Sequence, residues 1–473
     1  MSFASHILSS SAFLWLLGPT ISCAHDGDLD RTFASFGKER IPLKSAGHLA
    51  HFGAALAIQS DRKLVLAGTK YSSDANGKYN YDICLVRINP DGSSDLGFGN
   101  QGEVDIALDR GGDGFDSASK VLVQTDGKII VVGEIEGDAT TGLDIVALRL
   151  NSDGSVDSTY GVGGKSIIPF NLGTPPHVDD LAAGATLDSH GRLLIAGTSN
   201  AGDLTLFSVL TLVRLDPTGV RDTTFSLDGR VTYGSEAAPA EAFSVHELAN
   251  HKIIVAGATG ADNLDMLLVR FNADGKIDTS FGDAGVATYG DEFGGAMNDV
   301  LSDFAELGDG SIIAGGYVTI NAPANTDFAL LKFTADGALF PGFSPRAYPL
   351  DYGGLFLDAA TSLAIDQGGR ILLGGLVSID VINGEPLLDF GVLRMKADGQ
   401  LDPTFGDNGV VVQSSVALTG EDVENSGTVM ALDADQHVVL VGTSAYSSSD
   451  TYQHDFAVLR FMGDTIFADG VGP

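Results

Sequence analysis

Six aspartates recur at one position of a repeated unit: Asp82, Asp144, Asp265, Asp327, Asp389 and Asp455. Each opens a short apolar run that closes on a basic residue five positions later, as Asp144 does with Arg149. Carboxylates repeated in this way suggest hard-cation chemistry, with calcium as the candidate ion. Yet ligands must gather within about 2.5 Å of one ion, and one Asp per unit keeps them a ring apart. The expectation is that each caps its own loop through backbone N–H groups, or pairs with the next unit. Cation binding at the six is the alternative. The basic residue lies on the opposite side of an ideal strand from the Asp. The two are therefore not a simple pair, and the repetition of the basic residue argues for a structural role between units.

Other residues with chemical potential are weaker signals. The turns Asn89–Asp95, Asn151–Asp157 and Asn272–Asp278 look superficially like calcium loops. They lack the alternating oxygen ligands and terminal Glu of an EF-hand, and Asp-Gly alone marks a hairpin turn. His190, His251 and His437 occupy equivalent turns and read as tolerated surface substitutions. No HExxH, paired CxxC, GxSxG or phosphate loop is present. No catalytic residue and no cofactor is assigned on this basis. Cys84 sits inside the apolar run Ile83–Val86 and reads as a buried, inert thiol. The only Trp is Trp15, so any aromatic recognition falls to Tyr and Phe.

The elements that hold these residues recur about every 60 positions. A glycine closes a second apolar strand at Gly68, Gly133, Gly197, Gly257, Gly315, Gly374 and Gly442. The basic residue of the third strand follows at Arg87, Arg149, Arg214, Arg270, Lys332, Arg394 and Arg460. The runs are short, rich in Val, Ile and Leu, and bounded by Gly, Asp, Asn and Ser, which marks strands. Each unit reads as four antiparallel strands, A to D, with a tight A–B turn and a variable B–C loop. The expected fold is all-β: a seven-bladed β-propeller of four-stranded antiparallel blades. The last unit stops after strand C at Asp455–Phe461, and an orphan D-like strand opens the chain at Leu29–Lys44. The N-terminal strand is therefore expected to close the last blade, burying Phe33, Phe36, Ile41 and Leu43 and removing an open edge.

Leu401–Phe405, Lys128–Gly133 and Asp327–Gly337 carry a motif that resembles the delta-60 repeat of bacterial exported proteins. The resemblance covers nearly all of the chain after residue 24. It implies a β-propeller in an exported, often cell-surface setting. It brings no activity and no catalytic residue. Two departures stand out: Val209 replaces the strand-C Asp, and Leu339–Phe343 blurs the fifth D strand.

Residues 1–24 read as a secretory signal peptide, with an apolar core at Ala12–Leu17 and small residues at Ser22, Cys23 and Ala24. Lipidation of Cys23 is the alternative. Residues 25–473 read as one propeller domain with its N-terminal clasp. The net charge of −35 opposes binding to nucleic acid or an anionic membrane. No later apolar stretch has the length of a membrane span. The expected protein is a monomer, secreted or periplasmic, with cell-surface association as a further option. Its expected function is that of a non-catalytic binding or scaffold module. Its variable B–C loops, Lys70–Tyr81, Val318–Thr326 and Val377–Leu388, would engage a protein, glycan or surface component. Two alternatives stay open: a metal-assisted hydrolase in the central channel, and a structural cell-envelope protein.

Overall fold

The structure is a computed structural model. It describes residues 25–463 apart from 44–47, 50–54, 74–77, 109–113, 138–141, 173–178, 202–206, 291–292, 294–297, 321–324, 351, 353–356, 383–384, 416–423 and 449–450. The expected leader, with Cys23, lies outside the described residues. Among the described residues no helix is long and apolar enough to cross a membrane.

The described strands form seven antiparallel sheets, one per repeat. Blade 2 shows the plan: strand A is Asp116–Val123, B is Ile129–Glu136, C is Leu143–Leu150 and D is Lys165–Ile168. The A strands of successive blades touch one another in an unbroken circle, so they line the axis and the D strands face outward. Apolar residues on both faces of strands B and C fill the spaces between blades. One such core joins Val65, Leu85 and Phe98 of blade 1 to Val121, Val131 and Val146 of blade 2. This is why those strands read as continuous apolar runs instead of alternating ones.

The closing glycine of strand B has a steric cause. Strand A carries a bulge, placed in blade 2 between Ala118 and Lys120. The bulge drives a strand-A carbonyl toward strand B. A Cβ at Gly133 would lie 1.9 Å from the Ser117 oxygen, and one at Gly197 would lie 2.0 Å from that of Leu181. In blades 5 and 6 this position belongs to Gly316 and Gly375, opposite Val300 and Ala359. The sequence series places it one residue earlier, at Gly315 and Gly374. Paired glycines at 315–316 and 374–375 made the register ambiguous by pattern alone.

The N-terminal strand closes the ring. Lys38–Ile41 pairs antiparallel with strand C of blade 7, with Lys38 opposite Leu459 and Ile41 opposite Phe456. Phe33 and Ile41 are buried in the core between blades 7 and 1, and Leu43 packs against it. Phe36 departs from expectation, being 71 % exposed. It has a positive φ, at the turn position that Gln101, Ala284 and Asn408 hold in other blades, and so points into solvent.

The basic residue of strand C is an inter-blade joint. Arg149 Nε donates to Asp157, and its Nη1 donates to the Pro217 carbonyl of the next blade. Its guanidinium also lies 4.7 Å from the centre of the Tyr160 ring. Arg87, Arg214, Arg270 and Arg460 repeat this arrangement with Asp95, Asp222, Asp278 and Asp30. Arg394 likewise pairs with Asp402 at 3.0 Å. The turn it reaches in blade 7 is supplied by the N-terminal Asp26-Gly27, and there it pairs with the Asp26 carboxylate at 3.0 Å. In blade 5, Phe340 replaces the Asp, and the basic residue is Lys332, 4.2 Å over that ring.

Candidate functional site

The six strand-C aspartates fall one per blade, at the end of the strand where the B–C and D–A connections share a face. Asp389 accepts a hydrogen bond from Asn425 of blade 7 at 3.1 Å. Burial raises its pKa, against the nearby charge of Lys38. Asp455 lies 3.4 Å from Arg40 of the clasp, and Asp82 accepts from Asn80 at 2.9 Å. Asp144 and Asp327 are buried, whereas Asp265 is exposed. Among the described residues, none of the six belongs to a converging group of three metal-ligating side chains.

Loop capping is also carried by a set that sequence reasoning passed over, the Asp at or just before the start of strand A. Asp116 accepts the Leu108 N–H at 2.6 Å and Asp180 accepts that of Phe170 at 2.6 Å. Asp358 accepts from Leu350 and Ser378. Their recurrence at or just before the start of the A strands of blades 2, 3 and 6 was the available signal.

The B–C face is uneven. In blade 4 the B and C strands, Ile253–Thr259 and Asp265–Phe271, are short. In the neighbouring blades 6, 7 and 1 the B strands run over Ile371–Ile382, Val438–Ser448 and Leu64–Ser73. Their C strands extend correspondingly, as in Tyr79–Ile88. One side of the face is thus a raised wall. The wall at blade 1 carries four clustered rings. Tyr71 and Tyr81 are cross-strand partners with centroids 6.1 Å apart, and Tyr79 lies 6.1 Å from Tyr71. Phe115, just before strand A of blade 2, closes the group 5.2 Å from Tyr81. Tyr79 is 55 % exposed, and the others are half-buried. Burial and the two neighbouring phenols raise the pKa of Tyr71, which keeps its hydroxyl protonated.

The channel holds a second polar group. Asp303 of blade 5 accepts from Ser244 of blade 4 at 2.8 Å and from the Leu363 N–H of blade 6 at 3.0 Å. His246 Nε2 is 3.4 Å away. Burial would raise the Asp303 pKa, but His246, the Leu363 N–H and the charge of Lys120 hold it below the usual value. Burial lowers that of Lys120, with Asp303 opposing. Both Asp303 oxygens are engaged in tying three blades together. Cys84 is fully buried; burial and the nearby Asp105 and Glu103 raise its pKa well above the usual value.

On the opposite face, the A–B turns of blades 3 and 4 meet. His190 and His251, read from the sequence as tolerated surface substitutions at equivalent turns, stand with ring centres 5.9 Å apart. Adjacent repeats carrying His in the same turn was the signal for this meeting.

No curated protein matches the chain. Its structure is similar to that of a PL25 polysaccharide lyase (ulvan lyase), at 10 % identity and a TM-score of 0.48, covering 88 % of this chain and 95 % of that one. It is also similar to an α-L-arabinanase of Penicillium chrysogenum, at 9 % identity and a TM-score of 0.44, covering 89 % and 98 %. The family described as a β-propeller domain of unknown function, DUF5122, matches residues 59–98, 124–160, 249–281, 307–343 and 369–405. These matches fall in blades 1, 2, 4, 5 and 6, so five of the seven repeats are similar to this β-propeller family.

Proposed function

We propose that this protein is an exported, non-catalytic binding propeller whose binding surface is the raised B–C wall of blades 6, 7 and 1. The observation that carries the reading is the ring cluster of Tyr71, Tyr79, Tyr81 and Phe115 on that wall. Clustered, partly exposed rings offer flat apolar faces with hydroxyl handles, which suits stacking on sugar rings or apolar peptide side chains. The net charge of −35 favours neutral or cationic partners. A glycan or protein displayed outside the cell fits both features. A channel hydrolase draws less support, because Asp303 is taken up by structural bonds.

Affinity electrophoresis through gels containing neutral polysaccharides or chitosan tests the surface. Retardation by at least one polymer is expected, with loss in Tyr79→Ala/Tyr81→Ala while the circular dichroism spectrum is unchanged. Retardation untouched by these changes would place the binding elsewhere. Export is tested separately by mass spectrometry of the protein from its own host. A mature N-terminus near His25 is expected, and an intact Met1 would overturn it.

A further inference from the structure

The A–B turn of blade 3 spans Asp188–Arg192, and that of blade 4 spans Leu248–Lys252, following Glu247. Three potential metal-ligand atoms from these turns converge on one hydroxyl. Ser189 Oγ lies 3.2 Å from His190 Nδ1, 3.3 Å from His251 Nδ1 and 3.2 Å from Glu247 Oε1. His251 Nδ1 is itself 3.1 Å from Glu247 Oε1. At these turns the ligand atoms that all lie within 4.8 Å of one another are those of Asp188, His190 and Glu247; His251 stands outside that group and joins it through Ser189 Oγ and Glu247 Oε1.

The carboxylate is built in. The Glu247 side chain is 9 % exposed, and the Ser189 N–H holds Oε2 at 2.6 Å. That leaves Oε1 facing the imidazoles. Asp188 serves a different purpose: it accepts the His190 and Arg192 N–H groups and pairs with the Arg192 guanidinium at 2.6 Å. It therefore shapes the turn that presents His190. His251 is delivered by its backbone. It has φ of +62°, at the turn position where Gly127, Gly191, Gly310 and Gly369 stand in other blades. A residue there reaches back to the preceding blade's turn, as Arg62 does to Asp435 at 2.6 Å.

The geometry points to a divalent transition-metal site, zinc by preference, formed by His190, His251 and Glu247 across the junction of blades 3 and 4. Two imidazoles and one carboxylate are a zinc donor set, and a fourth, open position would take water or a partner's side chain. Calcium and magnesium prefer all-oxygen sites, so the two nitrogen donors select against them. Zinc–nitrogen bonds are about 2.0–2.1 Å, so the donors must draw inward. Ser189 is exposed, and rotation about its χ1 clears the focus. This site is independent of the aromatic wall and lies on the other face.

Isothermal titration of the chelator-treated protein with zinc chloride tests the assignment. Saturable binding near one zinc per chain is expected, accompanied by a higher melting temperature. His190→Ala and His251→Asn should each weaken binding by more than about tenfold. Asn tolerates the left-handed backbone and keeps the second variant folded. Cobalt substitution supplies a ligand-specific readout, the visible d–d absorption of a four-coordinate site, lost in both variants. Absence of saturable zinc binding overturns the proposal. So does binding that survives the double His190→Ala/His251→Asn change.

Discussion

Arg270 shows what one residue contributes to this ring. It pairs with Asp278 at 2.6 Å, sits over Phe281 and binds the Ala335 carbonyl of the next blade, with its side chain 6 % exposed. Removing Asp278 alone strands a buried cation, at a cost of roughly 3–5 kcal/mol. Blade 5 presents a natural substitute, Lys332 over Phe340. The double change Arg270→Lys/Asp278→Phe should therefore be less destabilising than Asp278→Phe alone. Urea unfolding of the cycle should give a favourable coupling of about 1 kcal/mol or more; additive effects would refute the substitute reading. The aspartates of these joints also set the acid limit. For Asp157 the Lys128 hydrogen bond is the largest influence lowering its pKa; for Asp95, Asp222 and Asp402, burial raises it but hydrogen bonds and the Arg prevail. A pKa lowered in the folded state gives stability that is present above the unfolded value and lost as pH falls through the folded one. The melting temperature should thus be level near neutrality and fall below about pH 4. Asp157→Asn should shallow that fall, and an unchanged acid profile would count against the assignment.

At the scale of the element, the bulged A strand and the glycine facing it form one device. Gly133→Ala places a Cβ 1.9 Å from the Ser117 oxygen, so strands A and B must separate. The expected loss is about 1–3 kcal/mol, measured by denaturant unfolding, whereas Gly163→Ala meets no atom within 4 Å and pays only for its positive φ. Equal losses at the two sites would show that backbone conformation, not the carbonyl, is the cause. The clasp is the second device. Its ladder bonds contribute about 1 kcal/mol net each, and the burial of Phe33 and Ile41 adds roughly 1.5–3 kcal/mol each. Ordering the strand offsets much of this. Deleting residues 25–45 also removes the Asp26 and Asp30 partners of Arg394 and Arg460. The deletion should lower the melting temperature or cause aggregation through the exposed edge at Thr451–Phe461. A monomer with unchanged melting temperature would refute the clasp's role.

For the whole molecule, the two faces differ in chemistry. The B–C face is raised over three neighbouring blades and bears the ring cluster, while the A–B face brings His190 and His251 together. With a net charge of −35, the folded ring works against its own repulsion. Added sodium chloride should raise the melting temperature between about 10 and 150 mM, where the screening length shortens from roughly 30 to 8 Å. A flat response would mean that the inter-blade ion pairs, which salt weakens, balance the repulsion.

Much of this architecture was legible in the sequence, because a propeller writes its plan once per blade. Seven copies of a four-strand unit, with a missing last strand and an orphan first one, determine the blade count and the clasp. The repeated Arg likewise announced an inter-blade role before its partners were known. Relations across blades were not legible. Asp389 meets Asn425, Asp303 ties three blades, Tyr81 meets Phe115, and His190 meets His251 only because consecutive sheets pack face to face. The register of the bulge was hidden for a similar reason, since either glycine of a pair satisfies the pattern and only the facing carbonyl chooses. Period and composition determine what each blade must be. Which side chains become neighbours is decided by closing the ring, and it is those neighbours that could bind anything.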